Sequence, residues 1–131
     1  MTLIIDICNY LSPRRGTSTI FQHMFLLFQQ SMYRQLLAGL EHRHQVMRLG
    51  AVFASALLRA ISFLERKWVQ LCNDIRTGQL DLTIIDPACR SSMIAILSSP
   101  NPHLAYEIES ICSRPSWKGI LCDLWPRAKV H

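Results

Sequence analysis

The chain lacks the features that announce several common classes of protein. No run of apolar residues reaches the length of about 18 to 20 needed to cross a bilayer, and the short apolar stretch Leu3 to Ile7 carries Asp6 and has its basic pair, Arg14 and Arg15, behind it. It therefore fails as a secretory leader. The five cysteines, Cys8, Cys72, Cys89, Cys112 and Cys122, are odd in number and contain no C-x-x-C pair. That excludes a disulfide framework and a zinc site built on cysteine, and points to a reducing, cytoplasmic setting. No G-x-S-x-G elbow, H-E-x-x-H pair or Walker sequence occurs. His42 and His44 stand two apart, a spacing that does not turn both to one side of a helix, so no metal site is expected there. Glu107 and Glu109 point away from each other on a helix and make no acid and base pair. No block of five like charges exists, and no aromatic residues interleave with a basic stripe. The net charge of +5, from 14 Lys and Arg against 9 acids, is spread along the chain, and nucleic acid is not expected as a partner.

What is present is apolar content and helical periodicity. Half of the 131 residues are hydrophobic and 18% are charged, which places the chain in the globular class and at the size of one domain. Pro13 to Thr19 is a polar break; Arg15 to Thr19 could be taken for a phosphate-cradling loop, but Ser12 and Pro13 ahead of it do not give the context such a loop requires, and a solvent-exposed turn is the alternative. Phe21 to Phe28 is a dense apolar cluster without a charged face, so membrane anchoring is not expected. Ser31 is expected to cap a helix with Met32, Tyr33, Leu36, Leu37 and Leu40 on one face, ending near Gly39 or in the run Glu41 to His44. Gln45 to Leu49 suits a short strand or link before Gly50. Ala51 to Leu64 is apolar almost all round and is expected to be a central, fully packed helix. Trp68, Leu71, Cys72 and Ile75 recur at helical spacing, continuing or restarting that helix, and Gly78 is its stop. Asp86 with Pro87, and Asn101 with Pro102, are helix starts, because proline at the first helical position loses no needed hydrogen bond. A last short helix is expected over Trp117, Ile120, Leu121, Leu124 and Trp125, closed by Pro126. Lys129 to His131 looks like the beginning of an extended segment with nothing to pair with. The three tryptophans are read as core anchors.

From Gln30 on, the stretches QSMYRQLLAGL, MRLGAVFASALLRAISFLERKW, NDIRTGQL, IDPACR, ILSSPNPHLA, IESIC, SWKGIL and LWPRAKV together resemble the plant acyl acid-amido synthetases of the auxin-responsive Gretchen Hagen family, in the family's order and spacing. GAVFASALLRAI and DIRTG resemble the auxin-conjugating branch. The resemblance implies the fold of acyl-CoA synthetases and luciferase. Residues 30–131 would be a mainly α, helical subregion of the large N-terminal domain of an α/β adenylate-forming enzyme, with its central sheet largely missing. It also implies a reaction: ATP and magnesium activate a hormone acid, most like indole-3-acetic acid, to an acyl-adenylate, whose acyl group passes to an amino acid. That chemistry needs a hydroxyl-rich phosphate loop and a rigid pocket. The family's phosphate loop belongs far upstream of QSMY, and its Y-A-S-S-E and Y-x-x-G-D motifs would lie beyond His131. The expectations are therefore no catalytic residue, no bound ATP or magnesium, and no activity for these 131 residues alone. At most Val52 or Phe53 approaches the acyl-acid pocket, with a core role as the alternative. Residues 1–29 match no part of the family and are expected to be a disordered or mis-spliced leader. The rival reading is a non-catalytic helical module that binds a protein partner through apolar faces left uncovered.

Overall fold

The computed structural model describes residues 2–5, 18–51 and 54–130; of Thr2, Ile4, Ile5, residues 18–28, Ala51, Ala54 and Val130 it describes the backbone only. In chain order the elements are strand β1 (Thr2–Ile5), helix α1 (Ser18–Glu41), strand β2 (Arg48–Ala51), helix α2 (Ala54–Thr77), helices α3 (Pro87–Leu97), α4 (Pro102–Cys112) and α5 (Ile120–Leu124), and strand β3 (Lys129–Val130).

The chain is mainly α, as expected, and its three short strands form one parallel sheet in the order β1-β2-β3. Thr2 stands opposite Arg48 and Ile5 opposite Ala51, while Arg48 and Leu49 also face Lys129 and Val130 on the other side. Parallel neighbours require a crossover, and α1 supplies the first, α2 to α5 the second. Right-handed crossovers between strands in this order put α1 and α2 on the same face of the sheet. Both helices touch that face, α1 against β1 and α2 against β1 and β2.

Several sequence expectations are corrected here. Ser31 caps nothing. It lies thirteen residues inside α1, buried, and its hydroxyl accepts from Gln35 Nε2 at 3.2 Å. A helix that has already begun gives Ser31 no free N–H groups to cap, so the cap signal was local chemistry that the helix upstream overrides. Residues 18–29 belong to this helix and 2–5 to β1. Ser18 and Thr19 of the polar turn open α1, and the rest of that turn lies outside the described residues. Lys129 and Val130 do have a partner, β2, more than eighty residues earlier in sequence. The final helix is shorter than expected: Trp117 precedes it, and Gly119, at φ +73°, turns the chain into it.

Helix α2 runs without a break through Trp68, so the two apolar segments are one helix of 24 residues. Its first half is not packed all round. Ala56, Ala60, Phe63 and Leu64 are buried, but Leu58 keeps 67% of its surface exposed, because positions 56, 60, 63 and 64 follow the 3.6-residue period and 58 falls opposite them. The stop at Gly78 is as expected. Its φ is +70°, and a β-carbon there would stand 2.8 Å from the nitrogen of Pro100. The starts at Asp86 and Asn101 also hold: Asp86 accepts from Cys89 N at 3.0 Å and Asn101 from Leu104 N at 3.1 Å, each with proline following.

The core gathers the inner faces of α1, α2 and α4 with Leu3 and Leu49 of the sheet, and Trp125 closes it. Trp125 is 1% exposed and donates from Nε1 to Gly39 O at 2.8 Å. A β-carbon on Gly39 would come within 2.6 Å of Leu3 Cδ2, so the end of the Leu3 side chain would have to move. Trp68 and Trp117 are only partly buried against this core, and Trp117 donates to Cys112 O at 2.9 Å.

Candidate functional site

The two residues placed nearest the acyl-acid pocket by resemblance, Val52 and Phe53, lie outside the described residues. What the structure describes is their frame: β2 delivers the chain to them and α2 carries it away one residue later. Beside that junction Leu36, Leu49, Leu57, Ala60, Ile61, Leu64, Leu121 and Trp125 line an apolar crevice of about 10 Å³. That is room for about one water, and with no polar partner in its walls the crevice is packing, not a binding site.

A second hollow lies at the other end of the α1–α2 pair. Gln29, Gln30, Tyr33, Phe63, Lys67, Gln70, Thr83 and Ile84 surround about 120 Å³. Sites for drug-sized ligands run from about 300 to 1,000 Å³, so a nucleotide does not fit. At its base Tyr33 donates its hydroxyl to Asp74 Oδ2 at 2.5 Å, both side chains being buried. Burial pushes the Tyr33 hydroxyl far up and, with the same cause leading, raises the Asp74 carboxyl above the ordinary carboxylate range. Beside the hollow, Gln30 accepts from Asp86 N at 2.9 Å, tying α1 to the start of α3.

Beyond both hollows, Arg43 is the polar hub of the molecule. It follows α1 and its side chain is 7% exposed. Nε donates to Leu124 O at 2.9 Å, Nη2 to Asp123 O at 2.8 Å, and Nη1 to Glu107 Oε2 at 3.0 Å. A planar guanidinium can serve three acceptors at once, and its charge complements the carbonyl end of α5. His44 and His103 also approach Glu107, at 3.5 and 3.2 Å. The fold therefore brings a carboxylate of α4 beside His44. Even so, among the described residues no group of three or more histidines, cysteines and acids is arranged to hold a metal ion. Glu107 and Glu109 do diverge, the latter pairing with Arg76 at 2.7 Å. None of these contacts makes a nucleophile, a general base or an oxyanion site. Among the described residues no set of side chains fits a bound nucleotide with its magnesium, and no catalytic step is derived from them.

Arg43, Asp74 and the Tyr33 hydroxyl are the polar residues that sequence reasoning missed. Each has its partner at least 41 positions away, so no local spacing could have marked them; the one available signal is that Arg43 directly follows an apolar helix face.

Long helices stacked on one face of a parallel sheet define the class: a layer of an α/β domain that frames a site without containing its chemistry. The sequence pattern of the GH3 family N-terminal domain matches residues 15–131, and the chain belongs to that family. GH3.9 of Arabidopsis thaliana is 72% identical over 100 residues, covering 76% of this chain and 17% of that protein. GH3.17 of the same organism, an indole-3-acetic acid-amido synthetase, is 56% identical over 101 residues, covering 77% and 17%. The chain thus spans about a sixth of the length of the curated relatives it matches. In solved structures it resembles AtGH3.15 acyl acid amido synthetase in complex with 2,4-DB, with a TM-score of 0.81 at 38% identity over 98% of this chain and 27% of that one. A second structure of GH3.15 acyl acid amido synthetase gives 0.76 at 52% identity, over 79% and 19%. The match to the family pattern begins ahead of residue 30, where the resemblance had been drawn.

Among the described residues no helix is long and apolar enough to cross a membrane.

Proposed function

We propose that this chain is the helical layer of an acyl acid-amido synthetase that joins a plant hormone acid, most like indole-3-acetic acid, to an amino acid through an acyl-adenylate. The supporting observation is 72% identity to a GH3 relative over 100 residues, together with the close superposition on an amido synthetase structure. In the parent reaction ATP and magnesium supply the activating phosphate chemistry, with the hormone acid and amino acid as substrates in the cytoplasm. The chain's contribution is positional. Val52 or Phe53 approaches the acyl-acid pocket in this reading, with a core role as the alternative; β2 ends just before them and α2 begins just after. The family-like part reaches back to residue 15, and neither ATP nor magnesium binds the isolated chain.

Two experiments test this reading. Purified chain mixed with ATP, magnesium, indole-3-acetic acid and aspartate should give no conjugate; robust conjugate formation removes the claim of inactivity. Replacing the matching segment of an active relative with residues 30–131 should keep conjugation, and a folded chimaera without activity argues against the assigned role. A second reading, a non-catalytic module that binds a protein, is favoured by one observation: Leu58 and Leu82 are 67% and 86% exposed. Light scattering that shows a monodisperse monomer, with no capture from plant extract, counts against it.

A further inference from the structure

The hollow beside Tyr33 lies between α1, α2 and the link from α2 to α3, and its inner walls are buried within this chain: Gln30 is 3% exposed, Tyr33 2%, Phe63 3% and Ile84 5%. It begins more than two turns into α2 and so is a separate place from the β2–α2 junction. Its volume of about 120 Å³ gives room for roughly four waters at about 30 Å³ each, or for one solute of that size. Several of the polar groups around it have spent their hydrogens. Tyr33 donates to Asp74, Gln70 Nε2 to Thr83 Oγ1 at 3.4 Å, and Thr83 gives both its hydroxyl and its N–H to Asp81 Oδ1. Gln30 is different. Its Oε1 accepts from Asp86 N at 2.9 Å, which fixes the amide, and among the described residues nothing accepts from its Nε2. A buried donor left without an acceptor is costly, so an accepting group is favoured beside it. Lys67, half-buried on the same hollow, forms no ion pair among the described residues. Its charge acts on Asp81 from beyond ion-pair distance, after the two bonds from Thr83 that chiefly hold that carboxyl below the ordinary range.

Two unspent donors, one of them a cation, thus share a small space with the apolar side chains of Phe63 and Ile84. We propose that the hollow binds a short aliphatic monocarboxylate, its oxygens accepting from Gln30 Nε2 and Lys67 Nζ and its alkyl end resting on Phe63 and Ile84. The volume sets the length at about two to four carbons. Inorganic phosphate suits the walls less well, because some of its oxygens would be pressed against apolar surface without a donor. An alkylamine would bring like charge to Lys67, and a second carboxylate on the ligand would bring like charge to Asp81. The binding is independent of whether the chain conjugates anything.

The test titrates propionate into the full chain and reads the side-chain amide of Gln30 and the backbone amides of Thr83 and Ile84 by NMR. A saturable shift with a dissociation constant of about 1 mM is expected, and propionamide and propylamine should bind at least about tenfold more weakly. Lys67→Gln keeps most of the stem and removes the charge; it should weaken propionate about tenfold with the circular dichroism unchanged. Gln30→Glu keeps an acceptor for Asp86 N and turns the free donor into a second acceptor, so the shifts at Thr83 and Ile84 should vanish. Lys67→Gln decides alone where Gln30→Glu does not fold. No saturable shift below about 100 mM propionate, which would leave the hollow to water, overturns the proposal. So does unchanged affinity in Lys67→Gln, or inorganic phosphate that shifts the same resonances at equal concentration, which would make the hollow a general anion site.

Discussion

At the scale of single residues the described part of the protein is governed by a few buried polar groups whose partners are distant in sequence. Arg43→Met should cost about 2 kcal/mol, because Glu107 and two carbonyls of α5 lose a buried donor, the loss being tempered by the partial exposure of Glu107. A urea midpoint that gives less than about 1 kcal/mol would mean that water reaches these groups after all. Asp74 makes a pH prediction. Burial raises its folded pKa above its unfolded value, so the folded state binds the proton more tightly, and stability is greatest below the unfolded pKa and falls as pH rises through the folded one. Asp74→Asn keeps an acceptor for Tyr33 but cannot ionise. Its thermal midpoint should gain on the parent as pH goes from 3 to 7, and a constant difference across that range would discard the assignment. Cysteine chemistry follows the same logic. Burial pushes the thiols of Cys72 and Cys112 up to about 12, whereas Cys122 is exposed. Among the four described cysteines, iodoacetamide at pH 8 should label Cys122 first and leave Cys72 and Cys112 until unfolding, as peptide mass spectrometry can read.

The elements show where local sequence decides and where it does not. The starts of α3 and α4 and the stop of α2 were legible because Asp86, Asn101 and Gly78 act on backbone within three or so residues. Asp86→Ala and Asn101→Ala should each cost about 1 kcal/mol. Gly78→Ala should cost more than either, since it combines a left-handed φ with a collision against Pro100; if denaturation ranks it below the caps, Pro100 can move aside. Ser31 misled for the opposite reason. It has the chemistry of a cap, yet whether a residue caps depends on the residue before it being outside the helix, and the apolar cluster ahead of Ser31 continues the same helix. The candidate site was the least legible part. Resemblance marks Val52 and Phe53, while periodicity says only that the region is apolar, and nothing in that pattern distinguishes a pocket wall from core.

For the molecule as a whole, extended chain near β2 and at β3 was legible, but β1 and the pairing of the strands were not, because two to four residues carry too little alternation and their partners lie far along the chain. β1 meets β2 across the length of α1, and β3 meets β2 across four helices. Contacts of that separation close late, since loop entropy must be overcome before they contribute anything. The helices are different: α2 and α4, with only α3 between them in sequence, pack together and bury Leu71, Cys72, Ile75, Leu104, Ala105 and Ile108 between them and their neighbours. Stability should therefore be uneven. Native-state hydrogen exchange should find the slowest amides in α2 around residues 71–75 and in α4. The fastest ordered amides should be those of Lys129 and Val130, where β3 pairs with β2 over two residues and Lys129 N bonds to Met47 O at the rim of the sheet. Equal protection of β3 and α2 would show that the sheet and the helices open as one unit, and the description of a helical core carrying a lightly held sheet would then be wrong.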